Sequence, residues 1–204
     1  MPDEQTDERL LVRARRGDEA AFLSLYERHH APVFRFACRL LNDAATAEDV
    51  VHDCFLDLVR SREGDSAADF DAARGTLRNY LYGMARHRAL KIFRRTAREC
   101  ELDDATRETR AGASHVESNE PLERLLDAEL SEVVRRAVAM LPPLQRESLV
   151  LFEYEELSLT EIAEVVGVEV GTVKARLFRA RRSLRKTLAP HSSPCGVEAL
   201  AIKD

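Results

Sequence analysis

The sequence predicts an all-α protein built as two small helical domains joined by a flexible acidic linker. Composition is the first reason: Ala, Leu, Glu and Arg dominate, with only 8 Gly and no Trp among 204 residues, so most positions hold good helix formers. The second is periodicity, since no long run alternates apolar and polar residues as a half-buried strand does. The third is a break. The stretch LDDATRETRAGASHVESNEP has almost no large apolar residue and cannot build a core. The boundaries that follow are 8–98 for the first domain, 99–120 for the linker, 121–189 for the second domain and 190–204 for a tail.

Three stretches make the first domain. AFLSLYERHHAPVFRFACRLL is amphipathic and offers Phe22, Leu25, Tyr26, Val33, Phe34, Phe36, Ala37 and Leu40 to a core. AEDVVHDCFLDLVR follows as a helix whose acidic start suits the positive end of the helix dipole. Its apolar side is Val50, Val51, Cys54, Phe55, Leu58 and Val59, which leaves Asp49, His52, Asp53 and Asp57 on the others. The third, GTLRNYLYGMARHRALKIFRRTAR, gathers Arg86, His87, Arg88, Lys91, Arg94 and Arg95 beside Tyr80 and Tyr82. Cations among aromatics suit single-stranded nucleic acid, where charges track phosphates and rings stack on bases. Tyrosines at helical spacing equally suit ordinary core packing.

The second domain resumes at Leu122, and Pro142-Pro143 must end one helix and can open the next. Its most informative part is SLTEIAEVVGVEVGTVKARLFRARRSLRK. Ser158 and Glu161 have the spacing of a capping box, Ile162, Ala163 and Val166 form an apolar stripe, and Gly167 supplies a turn. In the next helix Val173, Leu177, Ala180 and Leu184 make a buried face. The rest of that surface carries Lys174, Arg176, Arg179, Arg181, Arg182, Arg185 and Lys186. A buried stripe beside a wide basic surface suits a recognition helix in the DNA major groove. The pattern is a helix-turn-helix.

The net charge of −5 hides this asymmetry. Basic and acidic residues balance over 1–95, acid dominates 96–170, and beyond Gly171 only Glu198 and Asp204 oppose eight basic residues. The charged first residues lack a signal-like apolar core and no segment approaches a membrane span, so a cytoplasmic protein without membrane insertion is expected. Cys38, Cys54, Cys100 and Cys195 form no CxxC pair, and the adjacent His29 and His30 point apart on a helix. No metal or other cofactor is expected, and no catalytic residue.

The order GDEAAFLSLYERHHAPVFRFACRLL, AEDVVHDCFL, RGTLRNYLYGMARHRAL and LPPLQRESLVLFEYEELSLTEIAEVVGVEVGTVKARLFRARRSLR resembles the extracytoplasmic-function (group IV) sigma factors of bacterial RNA polymerase. The likeness runs from about Leu10 to Leu188 with the linker as its gap. It implies a sigma-2 domain on the polymerase clamp and the −10 element, and a sigma-4 domain on the β flap and the −35 element. The partners implied are core RNA polymerase and promoter DNA, with room for an anti-sigma factor. Asp49, His52 and Asp53 fall on the implied clamp-facing helix, and residues 65–76 on the loop that captures a −10 base. Arg86, His87, Arg88 and Lys91 fall near the melted strand. Thr172, Lys174, Ala175, Arg176, Phe178 and Arg179 fall on the −35 face, and Arg146 where phosphate contact is supported.

Five positions depart from the family pattern. His87 and Lys91 stand where Asn and Asp are frequent, His52 replaces Gln, Glu169 replaces a Ser or Pro at the start of the recognition helix, and Ala175 replaces Ser. Ala175 gives up a hydroxyl donor but keeps a methyl able to touch thymine. A conventional helix-turn-helix repressor or activator is the rival reading, and would need a dimer interface and a ligand pocket. The acidic helix and the tether favour polymerase docking instead. A flexible tether also leaves the two readers at no fixed spacing, so the free chain is expected to bind promoter DNA poorly.

Overall fold

A computed structural model describes residues 6–60, 70–102 and 123–189. Those residues form eight α-helices and one short 3-10 turn, with no strand among them. Local chemistry sets the helix ends. Thr6 caps α1 (Asp7–Arg15), which buries Leu10, Leu11 and Ala14. The Asp18 carboxylate accepts from the Ala21 amide at 3.1 Å and starts α2 (Glu19–Leu41). This helix runs through Pro32 and stops at Asn42, whose φ of 56° is the left-handed conformation Asn tolerates. Asp43 then caps α3 (Ala44–Arg60) through the Ala45 and Thr46 amides at 2.9 and 3.2 Å. The cap draws the helix start three residues upstream of the AEDVV run that signals it in the sequence.

Helix α4 (Leu77–Leu102) completes the first domain, after the 3-10 turn Ala72–Arg74. The second domain comprises α5 (Glu123–Ala139), α6 (Pro143–Glu153), α7 (Leu159–Val166) and α8 (Val170–Leu188). Pro142-Pro143 separates α5 from α6 as expected, because a proline at the first helical position loses no hydrogen bond. The linker falls largely, and the tail wholly, outside the described residues. Among the described residues no helix is long and apolar enough to cross a membrane.

The two domains do not sit apart. Phe36, Leu40, Phe55, Leu81 and Tyr82 of the first belong to one continuous apolar cluster with Leu141, Val150, Leu151, Ile162 and Val166 of the second. Helix α2 lies against α5 and α6, and α4 against α6 and α7. The spacing between the domains is therefore fixed in this arrangement, unlike the loose pair expected from the tether. Shared apolar burial and cross-domain ion pairs supply what the linker's composition does not reveal. Tyr82 belongs to this core: it is fully buried with its ring centroid 5.1 Å from Phe36.

The start of α7 is a complete capping box. The Glu161 amide donates to Ser158 Oγ at 3.2 Å, and the Ser158 amide donates to Glu161 Oε2 at 2.9 Å. The Ser158 hydroxyl and amide hold the Glu161 carboxyl below its ordinary range. A carboxylate lowered on folding stabilises above its unfolded range, and that contribution disappears as pH falls through the folded one. Ser158→Ala should cost about 1 kcal/mol at neutral pH in a urea melt, and the gap between mutant and parent should narrow under acid. An unchanged midpoint would show that the box contributes nothing.

Candidate nucleic-acid interface

The helix-turn-helix is built as the sequence predicts. Gly167 ends α7 at φ 68°, a conformation that favours glycine, and Glu169 opens α8 with no side-chain cap. Val173, Leu177 and Ala180 are buried beneath α8. Thr172, Lys174, Phe178, Arg179 and Arg182 are exposed on its outer side, Phe178 at 66%. Ala175 is half-buried between the two faces.

Not every cation of α8 points outward. Arg181 pairs with Glu153 at 2.8 Å and lies 5.2 Å over the Phe152 ring. Arg176 turns inward, only 13% exposed, and donates to Glu147 Oε1 at 2.9 Å. That carboxylate is 0% exposed and takes a second guanidinium, from Arg86 of α4, through Nε at 2.8 Å and Nη2 at 3.2 Å. Burial holds the Glu147 carboxyl above its ordinary range, and the two guanidiniums oppose that rise without cancelling it. Losing one partner of such a buried pair typically costs about 3–5 kcal/mol, because a charge is left uncompensated.

Arg146, the neighbouring residue, is also buried. It donates to the backbone carbonyls of Leu40 at 2.6 Å, Leu141 at 3.1 Å and Ala139. The sequence-based expectation of a phosphate contact is not met in this arrangement, where the side chain instead ties the α5–α6 corner to the end of α2. Two further contacts join the domains. Tyr82 donates its hydroxyl to Glu155 Oε2 at 2.6 Å, and Arg39 lies 3.6 Å from Glu155 Oε1 and 4.4 Å over the Tyr154 ring.

On α4 the expected strand-binding residues divide. His87 and Lys91 are exposed, Arg86 is held by Glu147, and Arg88 pairs with Asp53 at 2.9 Å and with Asp57. Asp49, His52 and Asp53 are all exposed on one side of α3, away from the buried Val50, Val51, Cys54 and Phe55. Arg88 and Asp53, expected to serve different partners, thus serve each other here. Of the −10 loop only residues 70–76 lie within the described part, where Phe70 packs 5.7 Å from Tyr80. The shared partner of Arg86 and Arg176, Glu147, escapes the sequence patterns. Its one signal is a carboxylate standing beside the apolar run Leu149-Val150-Leu151, where an unpartnered charge is rarely tolerated.

Comparison with known proteins accounts for both halves of this geometry. Residues 25–99 match the model of Sigma-70 region 2, and residues 131–184 that of Sigma-70, region 4. The RNA polymerase sigma-H factor of Pseudomonas aeruginosa is 32% identical over 93% of this chain and 97% of its own length. The ECF RNA polymerase sigma-E factor of Escherichia coli is 31% identical over 93% and 98%. Among solved structures, the sigma factor RpoE of Bartonella quintana bound to the anti-sigma factor NepR superposes with a TM-score of 0.63 at 23% identity, covering 82% of this chain and 96% of that one. CnrH bound to the cytosolic domain of CnrY gives 0.62 at 25% identity, over 92% and 100%. With region 2 spanning α2 to α4 and region 4 the helix-turn-helix, the chain belongs to the extracytoplasmic-function sigma factors of the sigma-70 family.

Proposed function

We propose that this chain joins core RNA polymerase through α3 and reads promoter DNA with α8 at the −35 element and α4 at the −10 element. One observation carries the reading: the outer side of α8 exposes Thr172, Lys174, Phe178 and Arg179 over a buried apolar stripe, as a major-groove helix requires. Arg179 and Phe178 are the base readers, and Lys174 and Arg182 attract phosphate. Arg176 and Arg146 act from behind by holding the unit together. On α4, His87 and Lys91 meet the melted strand first, with Arg86 and Arg88 joining when their carboxylates let go. The chain selects where polymerase starts and performs no chemistry of its own. It works in the cytoplasm with the polymerase, and an anti-sigma protein is a further partner class.

Asp49 and Asp53 supply the negative charge for the clamp, and His52 adds a ring between them. Docking places each domain over its element, so core polymerase converts a weak DNA binder into a specific one.

The test is transcription with purified core polymerase over a promoter library. Arg179→Ala should lose about 1–3 kcal/mol of −35 discrimination and relax preference at one base, whereas Lys174→Ala should weaken all sequences alike. Arg146→Ala should lower thermal stability, a change that a pure phosphate contact would not produce. If Arg179→Ala leaves −35-dependent initiation unchanged, α8 is not the reader.

Reversing charge at Asp49 and Asp53 should abolish capture of core polymerase in a pull-down while the helical circular-dichroism signal persists. Full assembly by that double variant would remove α3 from the polymerase face.

A further inference from the structure

The charged side chains that α8 turns outward are all hydrogen-bond donors. From Val170 to Leu188 the helix holds no acidic residue. Arg176 is given to Glu147 and Arg181 to Glu153, so the exposed cations as far as Arg182 are Lys174, Arg179 and Arg182. Such groups read acceptor edges, above all O6 and N7 of guanine. The N4 amino group of cytosine needs an acceptor instead, and at the leading end of α8 that acceptor is Glu169.

Glu169 stands immediately before the helix, extended at φ −69° and ψ 149°. Its backbone carbonyl accepts from the Thr172 and Val173 amides at 2.9 and 3.2 Å, which anchors the residue to the first turn. Its side chain caps nothing, is exposed and enters no ion pair among the described residues. In a helix-turn-helix the N-terminal residues of the second helix are the ones that meet base edges. A carboxylate at that end opposes the phosphates on either side of the groove. A hydrogen bond from a base offsets that repulsion, and only a base with a donor at the groove edge can supply one.

We infer that Glu169 sets promoter sequence: its carboxylate accepts from the N4 amino group of one cytosine in the −35 element and penalises every other base at that position. The inference rests on the assignment of α8 to the −35 element given above. Adenine also carries a donor, but it places its N7 acceptor beside N6, so a carboxylate meets a second lone pair there. Cytosine has only a C–H beside N4. Guanine presents two acceptors in this groove, and thymine one acceptor and a methyl group. Against either of them the carboxylate is left desolvated and unpaired, so discrimination comes from rejection as much as from attraction. Arg179 follows about 15 Å further along the helix axis at 1.5 Å per residue, too far to share the same base pair. Glu169 therefore adds a position to the sequence that α8 reads.

The test is initiation by the full chain with core polymerase over a promoter library randomised through the −35 element. Preferences are read as ratios between promoters within each variant, so a change in overall activity does not mask them. The wild type should favour cytosine about tenfold at one position. Glu169→Gln, which keeps the size and shape of the side chain, should move that preference to adenine, because an amide pairs with N6 and N7 together. Glu169→Ala should leave the position unread while the other positions keep their preferences.

A carboxylate that merely repels phosphate gives a different result. Glu169→Ala would then raise the use of all promoters by one factor and alter no ratio, and that outcome overturns the proposal. A wild-type base preference that both variants retain overturns it as well. Failure of the underlying reading looks different again. A wild type whose initiation ignores the −35 sequence altogether removes α8 as the reader and the cytosine contact with it. A −35 preference that responds to Arg179→Ala but not to Glu169→Ala leaves α8 as the reader and removes the cytosine contact alone.

Discussion

A carboxylate with no exposure to water needs its charge matched inside the protein, and Glu147 has that match in two arginines, one from each domain. The rest of the arrangement depends on it. With Arg86 and Arg176 converging there, α4 and α8 are brought together and α6 becomes the shared wall between the regions. Arg146 beside it anchors the same wall to backbone carbonyls of Leu40, Ala139 and Leu141. A buried ion pair is weak evidence of stability in itself, since its desolvation offsets much of the attraction. In this arrangement it ties α4 and α8 to one point on α6.

The same logic explains how a DNA-binding protein keeps a net charge of −5. Its cations are largely answered from within: Arg86 and Arg176 by Glu147, Arg88 by Asp53 and Asp57, Arg181 by Glu153. Exposed pairs of this kind contribute little, typically 0–1 kcal/mol, so phosphates or a polymerase surface can displace them readily. The buried pair at Glu147 is of another order.

Much of this was legible in the chain. The capping box at Ser158, the turn at Gly167, the stripe Val173, Leu177 and Ala180 and the break at Pro142-Pro143 are local, and local pattern dictates them. The exposed face of Asp49, His52 and Asp53 followed from helical period alone. What stayed hidden is long-range. Arg86 and Glu147 are 61 residues apart, and no periodicity announces that pair. Arg146 and Arg176 look like solvent-facing cations until the three-dimensional path brings a carbonyl cluster to one and a buried carboxylate to the other. Packing between the regions was hidden for the same reason, since the linker's polarity speaks only for the linker.

The packing of region 4 against region 2 is the claim on which this arrangement rests. The distance between the regions is measured by fluorescence energy transfer between dyes on Glu27→Cys of α2 and Glu164→Cys of α7, both exposed, in a chain freed of its native cysteines. The account predicts a single short distance for the free protein and a much longer one when core polymerase is added. A long, broad distribution in the free protein, or one distance unchanged by polymerase, would contradict it.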